Sequence, residues 1–389
     1  MRFTPWWASI ASGGVLLACA GAPLPAPSAD DPVVEQARRA LATQHPDGGR
    51  IASAALPPGA SREARIEALL RALGDPSTRL LSAQGWSAFL AEVSGSPTVG
   101  VGLRELLDLD LGRDGRLVVI TTQPGGAAAQ AGVGPGDVLE AVDGQAVRDL
   151  GEAMARLRGP EGTEVRLALR HGEEVRTVVL RREALPAAGS HVRSGDIAGG
   201  ALQLALDGFS AETAPAVERA LEGVGERPVV LDLRNNPGGA LDAALAVAGL
   251  FLSERDVMRA VGKLETPVLR SRGVARGRGQ VAVLVNEGTA SAAELLAAAL
   301  RDSGRARLFG EPTAGKALVH LPAPLDDGSV LLISIGRIVR LDGTEILGRG
   351  LVPDERVSWT ESVHPPLPVP GQAAADAQLR AALGWLNAR

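Results

Sequence analysis

The sequence predicts a mixed α/β protein in three parts: a helical N-terminal part, a β-rich middle domain and a domain in which helices cover a sheet. Three observations support this. Helical apolar spacing marks residues 61–96, short strands with glycine turns fill residues 97–183, and strands alternate with Ala- and Leu-rich helices over residues 184–360. The chain has 389 residues, 45% of them hydrophobic, which is enough for two or three domain cores.

Residues 1–18 predict a signal peptide. Arg2 is the only charge before an apolar run that is too short to span a bilayer. The run ends at Leu16-Leu17-Ala18-Cys19, which resembles the bacterial lipoprotein box, whose cysteine is lipidated and becomes the first residue. Ordinary cleavage nearby, with an unused Cys19, is the alternative. Since Cys19 is the only cysteine, an internal disulfide is excluded.

This N-terminus predicts a lipid-anchored protein of the bacterial cell envelope that faces the periplasm. Ala20, rather than Asp, follows Cys19 and favours the outer over the inner membrane. Residues 19–60 then form the lipidated cysteine, a tether and a linker, with a helix expected from Pro32 to Leu41.

The amino-acid composition argues against one class of function, nucleic-acid binding. The net charge of −5, the 3% of aromatic residues and the absence of tyrosine argue against nucleic-acid binding. Nothing in the sequence suggests a metal or an organic cofactor.

The N-terminal part contains a helix that begins after Ser61 and ends at Gly74, because its apolar residues recur at helical spacing and both ends carry capping residues. Asp75-Pro76 directly follows the end of this helix.

The middle domain, residues 97–183, resembles a PDZ domain. The strings that carry the resemblance are Pro124–Ala128, Ala131–Asp137 and Val142-Asp143-Gly144. Such domains bind a protein C-terminus by β-augmentation and hold its carboxylate in a loop of backbone N–H groups. The loop that corresponds here is Gly100-Val101-Gly102-Leu103, for which an ordinary bulge is the alternative.

Two strand-to-helix turns stand out in residues 184–360. The buried strand Val229–Arg234 runs into Asn235-Asn236-Pro237-Gly238-Gly239, where two glycines let the backbone approach a ligand closely. The strand Val281–Asn286 leads to Ser291, followed by a helix over Ala292–Leu300. A hydroxyl on such a turn is placed to attack a carbonyl beside free N–H groups. Alternatively, Ser291 and Glu294 only form a capping box.

Lys316 lies in Gly310–Ala317, a segment one residue short of a phosphate-binding loop. We reject a nucleotide site, because Ala317 has no hydroxyl for Mg²⁺ and a strand rather than a helix follows. The residues around Lys316 carry no charge, which suits a lysine whose pKa is lowered so that it acts as a general base. A surface lysine is the alternative.

These segments together resemble the carboxy-terminal processing peptidases, also called tail-specific proteases. The matching residues are Leu231–Gly239, Thr289–Glu294 and Gly310–Lys316, with Lys316 25 residues after Ser291. The resemblance implies a crotonase-like sheet domain with Ser291 as nucleophile, Lys316 as general base, and an oxyanion hole from the N–H of Ala292 and of Gly238 or Gly239. It also implies protein substrates with free, apolar C-termini, which the PDZ domain engages.

His320 departs from that family, which commonly has Gln four residues after the lysine. On a strand, residues 316, 318 and 320 share one face, so His320 can reach the site. It could orient Lys316, or protonate and repel it, which predicts a loss of activity below about pH 6.5. A rival arrangement makes His320 the base. Glu294 and Asp232 are interpreted as structural.

Residues 361–389 predict a C-terminal amphipathic helix that packs on the N-terminal part or on a second subunit. A homodimer or an adaptor protein as partner stays open. Two classes of function remain: a lipid-anchored serine endopeptidase, or a non-catalytic PDZ adaptor that binds protein C-termini.

Overall fold

The computed structural model describes residues 31–75, 77–94, 98–103, 109–111, 116–119, 122–123, 125–147, 150–185, 192–263, 267–358 and 376–388. The helices are α1 (Pro32–Gln44), α2 (Arg62–Leu73), α3 (Ala83–Ser94), α4 (Ala127–Gln130), α5 (Leu150–Leu157), α6 (Thr213–Ala220), α7 (Leu241–Leu252), α8 (Ala292–Asp302) and α9 (Ala377–Asn387).

The strands up to the end of the middle domain are β1 (Arg79–Leu81), β2 (Thr98–Gly100), β3 (Leu109–Leu111), β4 (Leu117–Val119), β5 (Val138–Val142), β6 (Gln145–Ala146), β7 (Glu164–His171), β8 (Glu174–Arg181) and β9 (Glu183–Leu185). Those that follow are β10 (Val192–Asp196), β11 (Leu202–Leu206), β12 (Val229–Asp232), β13 (Arg255–Gly262), β14 (Val268–Ser271), β15 (Val281–Val285), β16 (Ala306–Gly310), β17 (Leu318–Pro324), β18 (Val330–Arg340) and β19 (Glu355–Arg356).

The N-terminal helices fold onto the C-terminal domain. The Ser61 hydroxyl caps α2 by accepting the Ala64 N–H at 3.2 Å, and Gly74 ends it in the left-handed conformation. Buried apolar residues of α1 and α2 pack against β17 and β18, and β1 pairs with β18. The helix predicted from Pro32 to Leu41 is present as α1, extends to Gln44 and buries Val34, Ala37 and Leu41 in this core, so this part of residues 19–60 packs on the C-terminal domain.

The middle domain is a separate β-rich unit. Its sheet has the order β3-β4-β5-β7-β8, with β6 paired to β5, around its own apolar core. Strands β2 and β9 pair where the chain enters and leaves the domain. This pairing anchors the segment that contains the predicted carboxylate-binding loop.

The C-terminal domain is built on a sheet with the order β10-β11-β12-β15-β16-β19. From β11 onward the neighbours are parallel, so the loops that leave β12, β15 and β16 meet at one edge. Helices α7 and α8 cover one face of the sheet in a large apolar core. Helix α9 covers the other face, next to Phe309 and Leu284. The expectation that this helix packs on the N-terminal part or on a second subunit is wrong, since its apolar stripe completes the sheet of its own domain.

Within the described residues, no helix combines the length and apolarity needed to cross a bilayer. Cys19 and the signal peptide lie outside these residues.

Candidate active site

Ser291 sits on a strained turn between β15 and α8. Its backbone has φ 52° and ψ −120°, whereas the N-cap Ser61 has an ordinary extended backbone, with φ −60° and ψ 161°. A non-glycine residue at positive φ costs about 1–3 kcal/mol, and such strain concentrates at functional sites. The turn between strand and helix is the arrangement that exposes a nucleophilic hydroxyl at a sheet edge.

Glu294 connects the Ser291 turn to the Lys316 loop. Its carboxylate is fully buried, and Oε2 accepts both the Ser291 N–H at 3.0 Å and the Lys316 N–H at 2.8 Å. The backbone nitrogens of Ser291 and Lys316 therefore contact the same oxygen atom. The structure thus brings Ser291 and Lys316 together.

The other carboxylate oxygen of Glu294 is equally occupied. Oε1 accepts the Thr313 hydroxyl and the Gly315 N–H, the latter at 2.8 Å. Burial raises the pKa of Glu294, and these hydrogen bonds act in the opposite direction. Three of the four donors are backbone N–H groups, which donate to a carboxylate oxygen and cannot accept a hydrogen bond from a protonated carboxyl group. The interpretation of Glu294 as a capping residue is confirmed but incomplete.

Two further hydrogen bonds hold the Lys316 loop. The Ala314 N–H donates to the Thr289 carbonyl at 3.0 Å, two residues before Ser291. The Thr313 hydroxyl oxygen accepts the Leu351 N–H at 2.7 Å, so the segment after β18 supports the loop from the far side. Lys316 itself is partly exposed.

The Asn235–Gly239 loop is bound to the Ser291 turn as well. Asn286 accepts the Asn235 N–H at 2.9 Å and donates from its amide to the Asn235 side chain at 2.8 Å. The Ala290 N–H donates to the Asn236 carbonyl at 2.9 Å. Gly238, with φ 103°, lies so close that a Cβ there would come within 2.8 Å of the Ser291 Cβ. This position accepts only glycine.

The two glycines of the predicted oxyanion hole differ in whether their backbone N–H group is already hydrogen-bonded. The Gly238 N–H donates to the Asn236 Oδ1 at 2.9 Å and is therefore not free for a substrate oxygen. The N–H groups of Gly239 and Ala292 have no acceptor among the described residues. The structure therefore argues against the Gly238 N–H as an oxyanion donor, and the N–H groups of Gly239 and Ala292 stay the predicted donors.

His320 lies on β17, opposite Ser334 of β18, and its surroundings correct the predicted pH dependence. Burial and the nearby Arg79 lower the pKa of His320 to about 4, with Lys316 adding to the effect and Asp75 opposing it. The histidine is thus neutral at physiological pH, and the expected titration near pH 6.5 is wrong. Its Nε2 atom is buried and has no hydrogen-bonding partner among the described residues.

The Asp75 segment forms the wall behind His320. Asp75 accepts the Thr78 hydroxyl at 2.7 Å, the Ser77 N–H at 2.9 Å and a contact from His45 at 3.1 Å. Burial alone would raise the pKa of Asp75, but these hydrogen bonds hold it below its usual value. The Thr78 hydroxyl oxygen also accepts the Ser334 N–H at 2.9 Å.

The predicted carboxylate-binding loop lies far along the chain from these residues. Val101, Gly102 and Leu103 are buried, and Gly100 ends β2. The carbonyls of Val101 and Gly102 accept the N–H groups of Ala128 at 2.8 Å and Gln123 at 3.0 Å. The N–H groups of Gly102 and Leu103 have no acceptor in the described part of the chain.

Sequence reasoning missed several residues that shape the site. Thr313, Asn236, Asn286 and Asp75 contribute hydrogen bonds between segments that are distant in sequence, to Glu294, Leu206, Asn235 and His45 respectively. Local signals existed for three of them: Asn286 comes directly after a buried strand, and Asn236 and Thr313 lie in the segments Leu231–Gly239 and Gly310–Lys316. The described residues contain no cluster of His, Cys, Asp or Glu side chains that could hold a metal ion.

A serine on a strained turn, a lysine loop that one carboxylate joins to that turn, and a separate β-rich domain are the features of PDZ-containing serine peptidases. Comparisons with known proteins agree with this class. The PDZ domain model matches residues 118–181, and the peptidase family S41 model matches residues 201–357.

The carboxyl-terminal-processing protease of Synechocystis sp. is 34% identical to the chain over 340 residues, which cover 83% of this chain and 76% of that protein. The "Probable CtpA-like serine protease" of Staphylococcus haemolyticus is 31% identical over 312 residues, which cover 77% of this chain and 60% of that protein. The solved photosystem II D1 C-terminal processing protease has a TM-score of 0.73 at 28% identity, over 90% of this chain and 96% of that one.

The chain therefore belongs to peptidase family S41, among the carboxyl-terminal processing proteases, a group of serine-type peptidases. The predicted family and fold class are confirmed. The chain spans about 60% of the length of the staphylococcal relative.

Proposed function

We propose that the protein is a serine endopeptidase that cleaves protein substrates recognised by their C-terminal tails, with Ser291 as nucleophile and Lys316 as general base. The observation that carries the proposal is the Glu294 oxygen shared by the N–H groups of Ser291 and Lys316. A residue that only caps α8 has no need to bind a second loop.

The chemistry follows from this arrangement. Neutral Lys316 takes the Ser291 proton as the hydroxyl oxygen attacks a peptide carbonyl, and the N–H groups of Gly239 and Ala292 stabilise the oxyanion. Lys316 then gives the proton to the departing amine, which leaves an acyl-enzyme. A water molecule deprotonated by Lys316 hydrolyses the ester and restores Ser291.

The use of basic residues along the chain supports Lys316 as the base. Of the 40 basic residues, only Lys263 and Lys316 are lysines, and all others are arginines. An arginine cannot lose its proton in a protein, whereas a lysine can when its surroundings lower its pKa. Lys263 donates to the carbonyls of Ala42 and His45 near the end of α1, a task for a charged group.

The PDZ domain supplies tail recognition in this proposal. The N–H groups of Gly102 and Leu103 are available to a substrate carboxylate, since the loop's carbonyls are held within the domain. The substrate tail then lies across the molecule with its cleavage site at Ser291.

His320 orients the base in this scheme. Being neutral, it can accept a hydrogen bond from the Lys316 ammonium without adding charge. The neighbouring charge of Arg79 opposes its protonation, which argues against the rival arrangement with His320 as the base that receives the serine proton.

We also propose that Cys19 carries a lipid that anchors the protein in the bacterial cell envelope, on the basis of the Leu16–Cys19 box. Incorporation of radiolabelled palmitate into the wild type but not into a Cys19→Ser variant is the expected result. Equal labelling of both would contradict it.

The catalytic proposal is tested with full-length protein in detergent, as wild type, Ser291→Ala, Lys316→Arg and Lys263→Arg. Each is incubated with an unfolded protein that has an apolar C-terminus, free or amidated, and the fragments are followed by mass. We expect cleavage by the wild type and by Lys263→Arg only, weakened by amidation of the substrate.

The Lys263→Arg variant is the matched control, because both lysine substitutions keep the positive charge and only one removes a base. Activity of Lys316→Arg would overturn the assignment of the base. Cleavage that ignores amidation would overturn tail recognition. Binding of the tail without cleavage by any form would favour the adaptor function.

A further inference from the structure

Helix α9 contributes a buried ion pair to the edge of the sheet where the active-site loops begin. Arg234, two residues beyond β12, lies 2.6 Å from the Asp232 carboxylate and 2.8 Å from that of Asp376. The side chains of Arg234, Asp232 and Asp376 are 8%, 10% and 6% exposed, so all three charges are enclosed. Asp376 is the N-cap of α9 and lies 142 residues further along the chain.

The first turn of α9 also reaches the end of β16. The Gln378 amide donates to the Val357 carbonyl at 2.9 Å, and its oxygen accepts from Arg234 at 3.3 Å. Gly310, the last residue of β16, lies against Gln378 so closely that a Cβ there would come within 3.3 Å of its Nε2. The helix therefore contacts the starts of two loops, the one with Gly239 and the one with Lys316.

Charge balance shows that Asp376 is not needed to neutralise Arg234. Asp232 already accepts two hydrogen bonds from the guanidinium, at 2.9 Å and 2.6 Å. Asp376 also caps α9 through Oδ1, which accepts the Leu379 N–H, while its buried Oδ2 faces Arg234 and adds a desolvation cost. This oxygen lies at Nη1 of the guanidinium, whereas Asp232 binds Nε and Nη2, so the two carboxylates contact different nitrogens of Arg234.

Arg234 directly precedes the Asn235–Gly239 loop, which carries the predicted oxyanion donor Gly239. The next residue, Asn235, exchanges two hydrogen bonds with Asn286, and the following carbonyl accepts the N–H of Ala290, next to Ser291. A displacement of Arg234 would therefore move the loop relative to the nucleophile. A misplacement of about 1 Å can cost about a hundredfold in rate.

We propose that α9 is a positioning element of the active site, in which Asp376, paired with Arg234, sets how closely the Asn235–Gly239 loop approaches Ser291. This inference rests on the proposed function of that loop as the oxyanion hole. Asp376 and Arg234 are positioning residues and do not touch the substrate.

The test replaces Asp376 by Asn in the full-length protein. Asparagine caps helices as well as aspartate, so the bond from the Leu379 N–H, 2.9 Å in the wild type, is kept while the ion pair is lost. We expect kcat to fall about tenfold with KM and the affinity for a free tail peptide unchanged. Labelling of Ser291 by a fluorophosphonate, which uses the same nucleophile and oxyanion donors, should slow in parallel.

Leu386→Ala is the matched control, because Leu386 is buried at the other end of the same helix. It should lower the melting temperature at least as much as Asp376→Asn and leave kcat unchanged at 25 °C. Asp376→Ser, which caps the helix but is too short to reach Arg234, should reproduce the loss in kcat if the asparagine variant folds poorly.

Wild-type kcat in both Asp376 variants, or an equal loss of kcat in Leu386→Ala, would overturn the inference. Ser291→Ala is measured beside them. If it is inactive while the Asp376 variants are fully active, only the inference fails. If it retains activity, the proposed function fails as well.

Discussion

The proposed reaction centre and the predicted carboxylate-binding loop of the PDZ domain each leave two backbone N–H groups without an acceptor among the described residues, but the backbone around these groups is held in different ways. At the reaction centre, neighbouring N–H groups are bound by three buried side chains, those of Glu294, Asn236 and Asn286. In the PDZ loop the carbonyls are bound within the domain, and the N–H groups of Gly102 and Leu103 are left over.

The difference assigns different tasks to the two regions. Three segments of the reaction centre fix one another, so a change in any of them should alter the chemical step. The PDZ loop is fixed by the core of its own domain, so a change there should alter substrate affinity alone. Three substitutions test this difference between the two regions, and a fourth tests the surroundings of His320.

Gly238→Ala should lower kcat by at least about a hundredfold. The new Cβ would lie 2.8 Å from the Ser291 Cβ and 3.0 Å from the Ala292 N, so Ser291 and Ala292, the proposed nucleophile and oxyanion donor, must both move away from residue 238. The measurement is steady-state cleavage of a free-tailed substrate. Gly195→Ala, in the same domain but with no neighbour within 4 Å, should be unaffected, and a fully active Gly238→Ala would disprove the tight contact.

Glu294→Gln should lower kcat by about tenfold to a hundredfold and stability by about 1–3 kcal/mol. One carboxylate oxygen becomes an amide that faces two N–H donors and can accept neither. Kinetics and thermal unfolding measure the two effects. Gln at the exposed Glu212 is the control, and unchanged kcat in Glu294→Gln would show that the shared carboxylate does not position the two loops.

Gly102→Ala should raise KM about tenfold for a free-tailed substrate and leave kcat and the cleavage of an amidated substrate unchanged. The residue has φ 83°, and a Cβ there would press on the Gly126 Cα at 3.3 Å, which shifts the loop. Gly134→Ala, which has open space around it, serves as the control. A loss of kcat instead would mean that the two regions are not separable.

His320→Gln should make the protein more stable to acid. The pKa of His320 is about 4 in the folded protein and about 6.5 in the unfolded chain, so between these values the unfolded state binds more protons. The contribution of neutral His320 to stability is therefore complete above about pH 6.5 and is lost as the pH falls toward 4. Thermal unfolding of both forms from pH 4 to 7 measures this, and parallel curves would contradict it.

Local patterns predicted the elements but not the connections between them. Ser61 and Gly74 mark the ends of α2 because capping depends on neighbouring residues alone. The capping box predicted the bond between Ser291 and Glu294 for the same reason. The bond from Glu294 to Lys316 crosses 22 residues, and no local pattern encodes it.

Long-range packing explains the errors in the same way. The helix predicted over Pro32–Leu41 is present as α1, but its packing against β17 and β18 was not predicted, because these strands lie almost 300 residues further along the chain. The pH dependence of His320 was misjudged because burial and the charge of Arg79, which lowers its pKa, depend on the fold and not on the strand that carries His320.

The sequence by itself predicted the order of the domains, the strand-to-helix turns, Ser291 and Lys316 as candidate nucleophile and base, and the resemblance to a family, because these depend on local periodicity and short motifs. Only the tertiary structure showed that one buried carboxylate joins the serine and lysine loops, that the Gly238 N–H donates to the Asn236 side chain, and that α9 contacts Arg234. The carboxylate bridge and the helix contact join residues that are distant in the chain, and the Gly238 hydrogen bond depends on how its loop is held. Such contacts depend on burial and hydrogen-bond geometry, which exist only once the sheet has formed.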